Sequence, residues 1–284
     1  MTFHLYSNGK KITDQIPLSE FREEEAGIFE SLRTYQGKIF RVEEHLDRFF
    51  ESAKTSGFSG KLDKRKLCRE LELALQTFRR EEPEFAKEGD LFIRLSLFQK
   101  RIFVMVGIRV HAPELYRCGV ALKTSPVTRS LSNASPPEVK TSSYQNAVLA
   151  SLEPSGPETY EWLFLNRSGY VTEVRIGNLF IVKDHVLLTP PCLGILHGVT
   201  RRFVIKCGLA LQLKVREVPL TRHEIFNADE AFLTNTSWEI LPVRELDSRP
   251  IGKKIPGPVT LKLMRQFKRL TRRHSEDEVR RIYK

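Results

Sequence analysis

The chain has 284 residues, 40% of them hydrophobic and 29% charged, and a formal net charge of +11, enough for one large or two modest globular domains. No run approaches the ~18 apolar residues of a membrane helix, and the N-terminus lacks the basic and apolar regions of a signal peptide. Four scattered cysteines (Cys68, Cys118, Cys192, Cys207) form neither a disulfide framework nor metal-ligand spacing, so the expected setting is cytoplasmic and no metal is expected.

Phe3 to Asn8 alternates apolar and polar and turns at Asn8-Gly9, a hairpin signal, with Lys10 to Ile16 as the return strand. Phe21 to Glu25 is an acidic loop. Gly27 to Tyr35 reads as a strand, Gln36-Gly37 as a turn and Lys38 to Val42 as its partner. The next segment opens a helix with acids in its first turn and an apolar face at Leu46, Phe49, Phe50 and Ala53. Leu62 to Arg80 is a second amphipathic helix, apolar at Leu67, Leu71, Ala74, Leu75 and Phe78. Leu91 to Phe98 and Ile102 to Val110 form a hairpin. With a strand at Val120 to Thr124, residues 1–127 make an α+β domain.

Residues 128–138, rich in Ser, Asn and Pro, form a linker, and residues 139–284 form a second, α/β domain. Gln145 to Leu152 is a helix. Strands follow at Glu161 to Leu165, Val171 to Glu173, Asn178 to Val182 and Val186 to Thr189. A helix from Gly198 to Gly208 precedes a strand at Gln212 to Pro219 and a short helix at Thr221 to Ala228. Strands at Glu230 to Thr234 and Glu239 to Val243 lead to a last helix, which has Pro258 in its first turn. From Arg249 onward twelve Lys or Arg stand against three acids. Nine of the eleven net charges thus sit on this tail, which reads as a solvated helix face; neither nucleic acid nor membrane is an expected partner.

Lys140 follows a Pro-rich loop and enters an apolar helical pattern. A buried amine loses its preference for the charged form and is then a nucleophile toward carbonyls; taken alone, the residue reads first as a solvated lysine at a helix start, because exposed lysines far outnumber buried ones. Glu173 ends a strand and needs a partner inside the fold. A protonated ring nitrogen would serve, and so would Arg175. Gly198-Val199-Thr200 opens a helix whose free N–H groups make an anion site. Thr234 to Ser237 offers further donors, and Arg48 a guanidinium suited to phosphate; each is also what helix caps and turns use without a ligand. There is no G-x-S-x-G elbow, H-E-x-x-H, Walker loop or G-x-G-x-x-G.

Taken together, Gly27 to Gly37, His45-Leu-Asp-Arg48, Lys140 to Ala150, Gly169 to Phe180, Thr189 to Pro191, Gly194 to Arg201, Asn235 to Val243 and Gly257 to Thr260 resemble the fold-type IV pyridoxal-phosphate enzymes, the class-IV aminotransferases. The resemblance implies a two-domain α/β (α+β) fold with the cofactor between the domains, and a homodimer. It implies that Lys140 holds pyridoxal 5′-phosphate as a Schiff base and carries the proton between substrate and cofactor. Glu173 would pair with the pyridine nitrogen, Tyr144 with the phenolic oxygen, and Asn178 would lie at the cofactor. Arg48, Val199, Thr200 and Thr236 would hold the phosphate. Phe29, Arg94 and Ser237 would face the substrate.

The implied reaction moves an amino group between an amino acid, branched-chain or otherwise apolar, and a 2-keto acid. The alternatives are 4-amino-4-deoxychorismate lyase, which releases pyruvate, and D-amino-acid aminotransferase. Tyr144 favours the branched-chain enzymes over the lyase, whose corresponding stretch carries Asn-Arg-Leu. The departures fall on the substrate side. Glu20 to Ala26 lacks the family's Gly-Asp-Gly, the turn after Phe98 is short, and Phe92-Ile-Arg94 has Phe where the family has Tyr.

Overall fold

The computed structural model describes residues 3–12, 27–58, 60–98, 100–128, 136–141 and 159–282, excluding the side chains of 86–88 and 273–282. The expected helix at Gln145 to Leu152, Tyr144 and the acidic loop before Gly27 lie outside the described residues. The chain divides into two compact units. The first comprises residues 1–110, 139–143 and 271–284, and the second 111–138 and 144–270.

The first unit holds a six-stranded antiparallel sheet. Its strands are β1 (Phe3–Ser7), β2 (Lys10–Lys11), β3 (Ile28–Tyr35), β4 (Lys38–Ile39), β5 (Phe92–Phe98) and β6 (Arg101–Gly107), in the order β2-β1-β6-β5-β3-β4. Asn8 and Gly9 both have positive φ (50° and 71°), as do Gln36 and Gly37 (50° and 79°), as two-residue hairpin turns demand. Two helices, α1 (Val42–Thr55) and α2 (Lys64–Glu81), supply the core with the apolar stripes read from the sequence: Leu46, Phe49 and Ala53 from one, Leu67, Leu71, Ala74, Leu75 and Phe78 from the other. Ile28, Leu32, Ile93, Leu95, Val104 and Val106 meet them from the sheet. Asp63 starts α2 by accepting from the Lys66 N–H at 2.7 Å. A short α3 (Pro83–Glu88), absent from the sequence reading, follows.

The second unit contains a nine-stranded sheet. In chain order its elements are α4 (Pro113–Cys118), β7 (Val120–Thr124), β8 (Thr159–Leu165), β9 (Val171–Val174), β10 (Asn178–Lys183), β11 (Val186–Thr189), α5 (Val199–Ala210), β12 (Lys214–Glu217), α6 (Arg222–Phe226), β13 (Glu230–Asn235), β14 (Glu239–Leu246), β15 (Arg249–Pro250) and the start of α7 (Pro258–Ile282), whose residues from Thr271 onward count with the first unit. The strand order is β12-β11-β10-β13-β14-β7-β8-β9, with β15 on β14. α5 is the crossover that lets β12 run parallel to β11. Phe203 of α5 meets Phe267 of α7 edge to face, 4.9 Å between ring centres. The buried Glu230 carboxylate caps α7, accepting from the N–H groups of Val259 (2.8 Å) and Thr260 (2.7 Å).

These units differ from the domain boundaries expected above. β7, expected in the first domain, runs parallel to both β14 and β8 in the second sheet. Lys140, expected in the second, belongs to the first unit. Thr141 bridges Ile28, the Phe29 N–H donates to the Lys140 carbonyl at 3.0 Å, and the Lys140 N–H donates to Ser52 Oγ at 3.2 Å. Three links to β3 and α1 outweigh its place in the chain.

Candidate active site

In the first unit, the backbone links just described fix Lys140 on both sides, and its side chain is half-buried. Its Nζ lies 4.6 Å from the centre of the Phe29 ring, and the Arg94 guanidinium lies 3.8 Å from that same ring. Arg109 approaches the Phe92 ring at 5.1 Å. The neighbourhood of Phe29 and Phe92 is therefore aromatic with cations over it.

Helical spacing places His45, Arg48 and Ser52 on one face of α1, and all three are buried. Alternation along β3 places Glu30 on the same face as Ile28 and Leu32, at 0% exposure. Arg48 donates from Nε to Glu30 Oε1 (2.6 Å) and from Nη2 to Oε2 (2.7 Å), and His45 Nδ1 lies 2.8 Å from Oε2. Burial pushes the Glu30 carboxyl up, but Arg48 and His45 outweigh it and hold its pKa at about 2. Burial lowers the His45 pKa against the pull of Glu30, so the imidazole is neutral and its Nδ1–H donates to the carboxylate. Residue pattern alone had left Glu30 unremarked. A carboxylate at an inward strand position, with His and Arg one turn apart on the next helix, was the available signal.

In the second unit Glu173 is buried on β9. Its Oε2 accepts from the Leu196 N–H at 3.2 Å and meets Asn178 Nδ2 at 3.5 Å. Asn178 Nδ2 also donates to the Leu196 carbonyl at 3.2 Å. Arg175 donates to Glu161 Oε1 at 2.8 Å. The other Glu161 oxygen has no partner, and burial raises this carboxyl to about 7 despite Arg175.

Gly198 begins α5 without a side-chain cap, so the first N–H groups, those of Val199 and Thr200, depend on other acceptors. A Cβ at Gly198 would fall 2.2 Å from Asn178 Oδ1. The helix is anchored behind by the buried Arg201, which donates from Nη2 to the Pro190 carbonyl and to Glu217, both at 2.6 Å. Thr234, opposite Asn178 across β13 and β10, carries a buried hydroxyl with no partner. Thr236 and Ser237 form the β13–β14 turn, which Asn235 holds by accepting from the N–H groups of Ser237 (2.8 Å) and Trp238 (2.7 Å) and donating to the Ile176 carbonyl (2.9 Å). The Ser237 hydroxyl lies 2.7 Å from His111 Nε2, a contact that nothing in the sequence had signalled.

A family model described as Amino-transferase class IV matches residues 27–246. The chain belongs to the class IV aminotransferases. It is thus a pyridoxal-phosphate-dependent transaminase that moves an amino group between an amino acid and a 2-keto acid. A relative from Methanocaldococcus jannaschii is 36% identical over 251 residues, covering 85% of this chain and 86% of its own. The branched-chain-amino-acid aminotransferase of Pseudomonas aeruginosa is 32% identical over 254 residues, covering 85% of this chain and 82% of its own. A solved structure of the T.th. branched-chain amino acid aminotransferase with pyridoxamine 5′-phosphate superposes with a TM-score of 0.82 at 28% identity, covering 94% of this chain and 93% of that one.

The residues of this aminotransferase suit the cofactor. An uncapped helix N-terminus and the hydroxyls of Thr200, Thr234 and Thr236 are the donor set a phosphate requires. The orphaned Thr234 hydroxyl would gain a partner, and Glu173 offers a buried carboxylate of the kind a ring N–H requires. Among the described residues no helix is long and apolar enough to cross a membrane, and no cluster could hold a metal ion.

Proposed function

We propose that this aminotransferase acts on amino acids with branched or other apolar side chains. The similarity to the Pseudomonas aeruginosa branched-chain enzyme over 85% of the chain carries the reading. Pyridoxal phosphate supplies an aldehyde that condenses with amines, and a ring that accepts the electron pair left when an α-proton departs. In the same proposal Lys140 would hold that aldehyde until the substrate amine displaces it, and the freed Lys140 amine would then carry the proton from the substrate α-carbon to the cofactor C4′. Glu173, steadied by the Leu196 N–H and Asn178, keeps the pyridine nitrogen protonated. Tyr144 donates to the phenolic oxygen. Arg48, the N–H groups of Val199 and Thr200, and Thr236 hold the phosphate. The turn at Thr236 and Ser237 receives the substrate carboxylate, with Phe29 and Arg94 beside the side chain. The enzyme works as a homodimer in the cytoplasm.

The test is a screen of L- and D-amino donors without acceptor, following the visible spectrum of the protein through the first half-reaction. L-Leucine, L-isoleucine and L-valine are expected to change it fastest. Preference for D-amino acids, or pyruvate released from aminodeoxychorismate without an acceptor, overturns the substrate assignment. The Lys140→Ala variant is expected to lose the visible absorbance of the bound cofactor; if it keeps that band, the role of Lys140 is refuted.

A further inference from the structure

We propose that Glu30 is a positioning residue that aims the Arg48 guanidinium at the cofactor phosphate, with His45 as its second anchor. The inference rests on the reading of Arg48 as a phosphate ligand. Arg48 stands near the middle of α1 on a long side chain that is rich in rotamers when free. Glu30 engages it along the Nε–Nη2 edge with two charge-assisted bonds of 2.6 and 2.7 Å. A guanidinium gripped on that edge has its Nη1 on the far side from the carboxylate, so one orientation of the fork is selected. His45 stops the carboxylate from rotating by binding the oxygen that also serves Nη2.

Stability does not explain this arrangement well. A buried ion pair is often no more stabilising than apolar side chains of the same volume, and the surrounding positions Ile28, Leu32, Leu46 and Phe49 are all apolar and buried. Bulk electrostatics explains it worse, because a carboxylate placed beside a phosphate site repels the phosphate. What Glu30 offers is preorganisation, which spares the phosphate the cost of ordering the arginine.

The two views predict opposite signs for Glu30→Gln. Removing a negative charge strengthens phosphate binding if charge alone matters, and weakens it if aim matters. The experiment titrates the protein with pyridoxal phosphate and with pyridoxal, which lacks the phosphate, and follows visible absorbance. We expect Glu30→Gln to weaken pyridoxal phosphate by about tenfold or more and pyridoxal by less than about twofold. Glu30→Asp, which keeps the charge but withdraws the carboxylate, is expected to lie between, and it decides the matter if the Gln variant fails to fold. Equal weakening of both ligands means a merely structural residue; unchanged or tighter binding of pyridoxal phosphate means charge without aim. Either result overturns the proposal. Arg48→Gln serves as the reference. If it leaves the ratio of the two affinities unchanged, the phosphate reading of Arg48 itself fails; if it collapses the ratio while Glu30→Gln does not, only the positioning role fails.

Discussion

Glu161 gives a pH dependence whose sign and size follow from its surroundings. Its carboxyl is 1% exposed and holds its proton up to about 7, against 4.5 for the unburied group, because burial outweighs the attraction of Arg175. About 2.5 units at 1.36 kcal/mol each correspond to about 3 kcal/mol. Below the unfolded value both states are protonated and the group has no effect on stability. As pH rises from 4.5 toward about 7 the unfolded chain releases the proton and the folded chain keeps it, so the folded state binds more protons and its stability falls. Above about 7 both states are ionised and the penalty of about 3 kcal/mol stays constant.

Glu161→Gln keeps the shape and the acceptor facing Arg175 but removes the titration. Relative to the native chain it is expected to be neutral near the lower limit of this window and more stable by about 3 kcal/mol beyond the upper one. The assay is the difference in urea midpoint between the two proteins from about pH 5 to about pH 8, in which all other titrating groups cancel. A difference that does not vary with pH, or a variant less stable at the alkaline end, refutes the reasoning.

Gly198→Ala is expected to push Asn178 away from Glu173, because the new methyl lies 2.2 Å from Asn178 Oδ1 and the amide is already tied to the Leu196 carbonyl. Weaker cofactor binding by spectroscopic titration, with a fall of about 1–3 kcal/mol in stability, would match; unaltered binding would not. Asn235→Ala leaves the Ser237 and Trp238 N–H groups without their acceptor, at a cost of about 1–3 kcal/mol. It should raise the KM for the amino donor more than it lowers kcat, and a change confined to kcat would show that the turn does not hold substrate.

Local pattern reached those parts of the structure that local forces decide. The turns at Asn8-Gly9 and Gln36-Gly37 were readable because positive φ at both positions selects a short residue list. The faces of α1 and α2 were readable because burial imposes the helical period. α3 and α4 span six residues each, too few for a period to emerge, and each begins with proline. The unit boundaries were not readable either, since they depend on which strand a segment pairs with, and nothing near Val120 announces β14. At the candidate site the residue types around Lys140, Glu173 and Gly198 carried the family signal. The contacts of Glu30 with Arg48, Leu196 with Glu173 and His111 with Ser237 did not, because each joins residues that share no motif.

The pairing of β7 with β14 also constrains the order in which the polypeptide matures. Val120 finds its parallel neighbour at Val243, so a nascent chain emerging from the ribosome carries a strand that waits for more than a hundred further residues before one of its edges is covered. Until then that edge is open to foreign strands. Expression conditions that slow elongation between these two points should therefore raise the insoluble fraction without any change in the stability of the finished enzyme.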